Sequence, residues 1–401
     1  MTALALTLAL LTLAGVIQCV LGLVAVQRFA RRANSVREAL PNPLPPVTIL
    51  KPLCGSEPLL DEALESCFSQ DYPEFQIVFG VQDPADPALA VVEMMRARFP
   101  GRDIRIVVDS SMHGPNRKVS NLMNMLPFAR HELLVISDSD LHLPPNYLAR
   151  LVAEMEKPGT GLVTSLYTGV PPARRGWATA LGATQINHHF LPGVLLARAM
   201  GRQDCLGSTA MFRRQTLERV GGFGALVHLL AEDNVLGQRV RSLGLSVGLA
   251  DIVPAATVPE PSLGPLWRHE IRWTRTIREL APASLIAATM QYPLFWSLIA
   301  MVLTYFAPWT VLLFLGSWAV RMLCARAIDL ALRDRVGRPA FPAPVWLLPL
   351  RDILSVAEIV ACFCVDEVTW RGHRLGAIGV ATAPAGALRA PLERERFLQE
   401  N

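Results

Sequence analysis

Two stretches of the chain carry no charge at all: Thr2–Gln27, 26 residues long, and Leu280–Val320, 41 residues long. A bilayer core takes about 20 apolar residues of helix, so the first stretch predicts one span and the second has room for two. Between them the pattern changes. Short apolar runs at Val47–Leu50, Gln76–Val81, Ile104–Val108, Leu133–Ser137, Leu162–Tyr167, Ser208–Phe212 and Leu245–Ala250 read as strands. Helical spacing over Pro58–Ser69, Pro87–Phe99, Arg117–Ala129 and Pro145–Glu156 falls between them, some of it with proline near the first turn. Strands alternating with helices predict an α/β domain whose mostly parallel sheet is covered on both faces. Ligands of such sheets bind at the carboxyl ends of the strands.

The flanks give the first span a direction. It is too long for the apolar part of a cleavable signal, and its basic residues (Arg28, Arg31, Arg32, Arg37) all follow it. The positive-inside tendency then puts the next domain in the cytoplasm. The division expected is an anchor at 1–30, a proline-rich linker at 41–46, a cytoplasmic domain at 45–278, transmembrane or interfacial helices at 280–370 and a tail at 371–401. Within the last helical region, Phe341–Val365 is interrupted by Arg351, Asp352 and Glu358, costly in lipid. A helix packed against the other spans, or a re-entrant one, suits it better than a simple crossing. Gly176–Met200 has no charge before Arg198 and contains Pro192 and the pair His188-His189. It reads either as a surface helix pair lining an acceptor entrance or as a core helix. The histidines read as polar packing, because adjacent helical residues do not face one site.

Composition agrees with this division. Residues of the AVILMFWYC set make up 51% of the chain and charged ones 18%. Outside the two uncharged stretches, the 72 charges fall in 334 residues, about 22%, close to the roughly 25% of a globular domain. Disorder is excluded, and a wholly soluble protein is disfavoured. The net charge of +4 sits largely beside the membrane segments (Arg321, Arg326, Arg333, Arg335, Arg338), which suits anionic headgroups and not nucleic acid. Seven cysteines without metal-site or disulfide spacing read as reduced thiols.

Acidic residues lie where this architecture puts a site. One apolar run ends in Gln82-Asp83-Pro84 and another in Ser137-Asp138-Ser139-Asp140. Asp138 and Asp140, two apart, point to one side of an extended backbone. Such a pair suits Mg2+ or Mn2+ shared with a diphosphate, although aspartate also ends strands and caps helices. Glu232-Asp233 precedes a predicted helix at Asn234–Leu243, where acids are also common for capping reasons. A carboxylate there can instead serve as general base for an alcohol nucleophile. In Trp267–Arg275, His269, Arg272 and Trp273 share one helix face. Arg272 can clamp a diphosphate and Trp273 can wall an acceptor pocket, whereas Arg268, Arg275 and Arg278 read as interface anchors.

The order Asp83, Asp138-Ser139-Asp140, Glu232-Asp233 and Arg272-Trp273 resembles the D, DxD, (E/T)D and (Q/R)xxRW pattern of family 2 glycosyltransferases. Ile49–Leu53, Val81–Asp83, Lys118–Leu122 and Ile271–Trp273 look like the ceramide glucosyltransferase branch. Phe79–Pro87 and Asn116–Leu122 are most similar to the bacterial hopanoid-biosynthesis-associated glycosyltransferases. His269 departs from the pattern, standing where the family has Gln or Arg. The resemblance implies a GT-A type nucleotide-sugar-binding domain plus transmembrane helices in a bacterial inner membrane. It implies Asp83 at the uridine, Lys118 near the nucleotide, Asp138 and Asp140 at the sugar nucleotide and metal, and Asp140 as the likelier metal ligand. Asp233 would be the base, and Arg272 and Trp273 would close the diphosphate end, with His269 and Glu232 as further acceptor or diphosphate contacts. The expected reaction is inverting transfer from a UDP-sugar to a membrane lipid: N-acetylglucosamine onto a hopanoid polyol such as bacteriohopanetetrol, or glucose onto ceramide. A processive polysaccharide synthase and a catalytically inactive membrane scaffold are the other readings.

Overall fold

Along each central strand the side chains alternate between two buried layers, as period-two geometry requires when both faces of a sheet are covered. In β1 (Val47–Pro52) Ile49 enters one core and Leu50 the other; in β2 (Phe75–Val81) Phe79 and Val78 divide in the same way. The computed structural model describes residues 2–32, 40–172, 176–333, 344–364, 367–370 and 373–376. α2 (Leu60–Phe68), α3 (Ala88–Arg98) and α5 (Tyr147–Met155) cover the first core. α4 (Arg117–Met125) and α9 (Glu232–Ser242), with the short α8 (Arg214–Arg219), cover the second.

All seven predicted strands join one sheet, in the order β3-β2-β1-β4-β8-β6-β9, where β3 is Asp103–Val108, β4 Leu133–Ser137, β6 Thr160–Ser165, β8 Thr209–Arg213 and β9 Ser246–Ala250. Only β8 runs against its neighbours. The predicted run Leu162–Tyr167 ends earlier than expected, at Ser165. After it, β7 (Thr168–Val170) joins β5 (Leu141–His142) and β10 (Ala255–Thr257) in a separate small sheet. The helix after Glu232-Asp233 includes both acids in its first turn.

α1 (Thr2–Arg32) covers the stretch expected to be an anchor and is long and apolar enough to cross a membrane; exposed leucines, Ile17 and Val20 line it as far as Leu21, while Val26 and Phe29 are buried against Leu166 and Leu206 of the α/β domain. Arg37 of its basic flank lies outside the described residues. The 41-residue stretch differs from expectation. Its first part is a bent pair, α11 (Pro282–Ala287) with a short helical turn to Gln291, then α12 (Pro293–Leu303), broken by 68°. Pro293 starts a helix and leaves no donor to continue the preceding one. Its second part, α13 (Pro308–Leu332), runs twelve residues past Val320 and takes Arg321 into the helix bundle. Two helices, α1 and α13, are long and apolar enough to cross a membrane, or three if the bent pair counts as one.

Arg321 is therefore not a headgroup contact: it is buried and ion-paired with Asp352 at 2.8 Å. Asp352 belongs to α14 (Leu348–Cys362), which packs on α12, on α13 and on α10 (Leu263–Leu280) with all three of its charges buried and paired. This fits the packed helix expected of Phe341–Val365, whose first three residues lie outside the described ones. Arg275 and Arg278 are not simple anchors either. Arg275 is buried beside Glu279, and Arg278 donates to the Cys362 carbonyl. α6 (Trp177–Gln185), a π turn at Ile186–Phe190 and α7 (Leu191–Ala199) form one helical run, largely buried between the α/β domain and the apolar helices. A two-stranded hairpin, β11 (Glu367–Trp370) and β12 (His373–Gly376), follows; Arg335, Arg338 and most of the expected tail lie outside the described residues.

Candidate active site

The parallel neighbours β2, β1 and β4 bring their carboxyl ends to one edge of the sheet, where ligands of such sheets bind. At the end of β4 the turn Asp138-Ser139-Asp140 is held from several directions. Lys51 Nζ, fully buried, donates to the Asp138 carbonyl at 2.7 Å and to Ser137 Oγ at 3.3 Å. Ser139 Oγ donates to Glu57 Oε2 at 2.6 Å, and the Asp138 amide donates to the Ser208 carbonyl at 3.1 Å.

The next component comes from the N-terminus of α4. Asn116 caps it, Oδ1 accepting from the Val119 amide at 3.1 Å, while Nδ2 donates to the Leu229 carbonyl at 2.8 Å and to Glu232 Oε2 at 3.1 Å. One residue thus starts one helix and orients an acid in the first turn of another. Lys118, in the first turn of α4, brings the site together. Its Nζ lies 2.6 Å from Asp138 Oδ1, 3.2 Å from the Gly207 carbonyl and 3.7 Å from Glu232 Oε1. Gly207 packs directly on the last acid: a Cβ built there would stand 2.6 Å from Asp233 Oδ2.

The charge balance of this cluster is distinctive. Burial pulls the Lys118 amine down, but Asp138 and Glu232 outweigh it and hold the ammonium charged. Burial pushes Glu232 up to about 7 against the pull of Lys118, and it raises Asp233 as well. Asp140 is pushed up to about 7 by burial and then by Asp138 and Glu57. A carboxylate crowded by two others favours a proton or a cation in its neighbourhood. Asp138 and Asp140, with Glu57 behind them, thus fit a divalent ion whose remaining ligands come from a substrate. Among the described residues no group of three or more metal-ligating side chains stands ready by itself.

The fourth component is α10. His269 pairs through Nδ1 with Glu260 and sits edge-on to Trp273, with ring centroids 4.4 Å apart. Trp273 packs with Tyr167 and Phe190 around Ile186 and Val258. Burial raises the Tyr167 hydroxyl, which lies within the fields of Asp140, Asp138, Asp233 and Arg272. Arg272 and the three acids thus all act on Tyr167.

The structure thus brings together Lys118, Asp138, Asp140, Glu232 and Asp233, with Tyr167 linking them to Trp273 of α10, against which His269 packs. Asp83 stands apart. It is exposed at the end of β2, and its Oδ1 accepts from the Ala85 amide at 2.8 Å. The sequence reading gives no role to Lys51, Glu57, Asn116 or Gly207. A lysine inside an apolar strand run was the one visible signal. His188 and His189 are the polar packing expected, each buried against a different aspartate.

A profile of Glycosyl transferase family 21 matches residues 7–378. The chain belongs to this family. Its α/β architecture is the GT-A type expected from the sequence. The ceramide glucosyltransferase branch appears among the relatives of this family 21 chain. Ceramide glucosyltransferase 1 of Caenorhabditis elegans is 26% identical over 216 residues, covering 52% of this chain and 45% of the relative. An N-acetylglucosaminyltransferase of Rhizobium leguminosarum bv. viciae is 24% identical over 247 residues, covering 59% of this chain and 56% of the relative. The chain thus spans about half the length of these curated relatives. Among solved structures, a mannosyltransferase from Pyrobaculum calidifontis in complex with GDP-Man and Mn2+ aligns over 87% of this chain and 99% of its own at a TM-score of 0.45, with 19% identity.

Proposed function

We propose that the chain transfers a sugar from a UDP-sugar to a hydroxyl of a membrane lipid with inversion at the anomeric carbon. The observation that carries this reading is the placement of Asp233 against Gly207, beside a Lys118–Asp138 ion pair at the carboxyl edge of the sheet. An alcohol is a poor nucleophile until a positioned base takes its proton. Asp233, raised by burial, is suited to accept it. The acceptor oxygen bonds to the anomeric carbon as the bond to the diphosphate breaks. The electron pair leaves with UDP, and the proton stays on the Asp233 carboxylate. Lys118 and Arg272 supply positive charge where the departing diphosphate gains negative charge. Asp138 and Asp140 would hold Mg2+ or Mn2+, which supplies Lewis-acid neutralisation of that diphosphate. Asp83, at the open end of β2, is assigned to the uridine, and His269 keeps Trp273 in place at the acceptor side.

For the finer substrate, we favour N-acetylglucosamine transfer to a hopanoid polyol such as bacteriohopanetetrol, on the strength of the Phe79–Pro87 and Asn116–Leu122 stretches. The ceramide glucosyltransferase relatives favour glucose transfer to ceramide as the second reading. The location assigned is a bacterial inner membrane with the α/β domain on the cytoplasmic side. The test is to incubate purified protein with UDP-glucose or UDP-N-acetylglucosamine and either lipid in mixed micelles, with and without chelator. A β-glycoside, lost on metal removal and reduced at least a hundredfold in Asp233→Asn, is the expected result. Undiminished product from Asp233→Asn would overturn the assignment of the base.

A further inference from the structure

The π turn at Ile186–Phe190 joins two regions that are otherwise separate. Toward the α/β domain, Asn187 Oδ1 accepts from the Gly169 amide at 2.7 Å and its Nδ2 donates to the Gly169 carbonyl at 3.1 Å, and the Phe190 ring packs tilted against Tyr167 at 5.1 Å, beside the site. Toward the apolar helices, His188 Nε2 meets Asp329 at 2.7 Å and His189 Nε2 meets Asp352 at 3.2 Å. A π turn widens the helix by one residue per bond and often marks a functional position. Here it lets two successive histidines reach two different aspartates.

Both histidines are at most 4% exposed, and in each the Nδ1 atom has no hydrogen-bond partner. Arg321 is 3% exposed, and its Nε also has none. These three residues line a cavity with Gln18, Cys19 and Gln291. With Cys324, the cavity therefore has seven polar or sulfur-bearing side chains in its wall, between helices whose outer faces are rich in leucine. Buried polar atoms without partners cost roughly 1–3 kcal/mol each, and intramembrane ionisable residues are functional by default.

Three observations define the occupant. The cavity, about 20 Å3, has the volume of a water or a hydroxyl group. Arg321, the one arginine in the wall, is already paired with Asp352 at 2.8 Å, so a phosphate would find no uncommitted guanidinium there. And Gln18 and Cys19 lie at the last turn of the lipid-facing part of α1, which ends at Leu21, before Val26 enters the α/β domain. That is the depth at which the polar end of a lipid lies.

We infer that this cavity seats an uncharged hydroxyl of a membrane lipid alcohol, docking the acceptor beside the transfer site. The inference rests on the lipid-acceptor reading above. It adds a specific place, separated from the sugar-nucleotide cleft by the π turn.

Gly193 allows a clean test. A Cβ there would lie 3.8 Å from Gln291 Oε1 with nothing else within 4 Å, so a larger side chain can be added from this wall of the cavity. Wild type, Gly193→Leu, Gly193→Ala and Gln18→Leu would be reconstituted in phosphatidylcholine nanodiscs. Two readouts are taken: transfer kinetics with ceramide and bacteriohopanetetrol, and photo-crosslinking by diazirine-bearing versions of the same two lipids. We expect Gly193→Leu to raise the lipid KM at least tenfold and to lose crosslinks to the 186–199 segment, with UDP affinity unchanged. Gln18→Leu should do the same to a smaller extent, and Gly193→Ala should resemble wild type. An unchanged lipid KM in both blocking variants would overturn the inference, as would wild-type crosslinks that avoid residues 10–25 and 186–199. Crosslinks at the cavity that Gly193→Leu removes, from a wild type that glycosylates neither lipid, would keep the cavity and discard the transfer reading.

Discussion

Lys51 Nζ donates to the main-chain carbonyl of Asp138 at 2.7 Å from a position with no solvent exposure. A buried amine on β1 thus sets the backbone from which the Asp138 carboxylate projects, while that carboxylate itself faces Lys118. Lys51→Met keeps the length of the side chain but leaves the carbonyl and Ser137 Oγ without their donor. The expected cost is about 1–3 kcal/mol of stability and a tenfold or greater loss of kcat/KM. Lys51→Arg should not rescue it, because the enclosed site has no room for a guanidinium. Thermal melts and donor titration check both points; wild-type donor affinity in Lys51→Met would remove Lys51 from the positioning of Asp138.

Gly207→Ala tests the neighbourhood of the base. The added methyl group would press on Asp233 Oδ2 from 2.6 Å, and the carboxylate has to rotate. Transfer should fall at least tenfold with UDP affinity and Tm little changed. A normal rate would mean that Asp233 acts from another orientation than the one observed.

Metal-free protein should respond to pH through Asp140. Burial, Asp138 and Glu57 push this carboxyl up to about 7, whereas an unfolded chain has it near 4. Between those values the folded state binds more protons than the unfolded one, so stability falls as pH rises through this window. In chelator, Tm should therefore be lower at pH 8 than at pH 5, and Mn2+ or Mg2+ should restore it at pH 8. Glu232, also pushed up to about 7, acts in the same direction. An identical pH slope in Asp140→Asn would show that Asp140 is not responsible.

Arg351 has no exposure and bonds Glu270 at 2.9 and 3.1 Å and Glu358 at 2.9 Å. Removing one member of a buried ion cluster typically costs about 3–5 kcal/mol, because a charge is left unmatched. Arg351→Leu should show this as a large drop in Tm in detergent. The triple variant Arg351→Leu, Glu270→Gln, Glu358→Gln should recover part of it. No recovery would mean that the guanidinium is needed for more than charge balance.

Much of this was legible beforehand, for identifiable reasons. Leu133–Ser137 was read with its true boundaries because its residues are buried on both faces and acids end it at once. That His269 and Trp273 meet was legible from spacing, since a four-residue interval on a helix puts side chains on one face. Lys51 was not, because the predicted strand stops at Leu50 and only the structure carries it on through Lys51 in the centre of the sheet. Arg321 was misread for the opposite reason. It follows an uncharged run, and only the partner on α14, 31 residues later, shows that it points inward. The π turn has no residue signature, since it is defined by which carbonyl an amide reaches. Asn116 and Gly207 act through geometry that requires the fold: one as a cap shared by two helices, the other as an absent methyl group.

The bond between Arg351 and Glu270 has a consequence for acceptor selection. Glu270 lies two residues before Arg272 on α10, and Arg351 belongs to a helix packed among the apolar ones. The part of α10 that carries Arg272 is thereby clamped to the apolar helices instead of hanging from a flexible leash. On the membrane-bound reading proposed above, its altitude over a bilayer is then a constant of the molecule. Lipids would be sorted by how far their hydroxyls stand up from the surface, a ruler that reads height before it reads chemical identity.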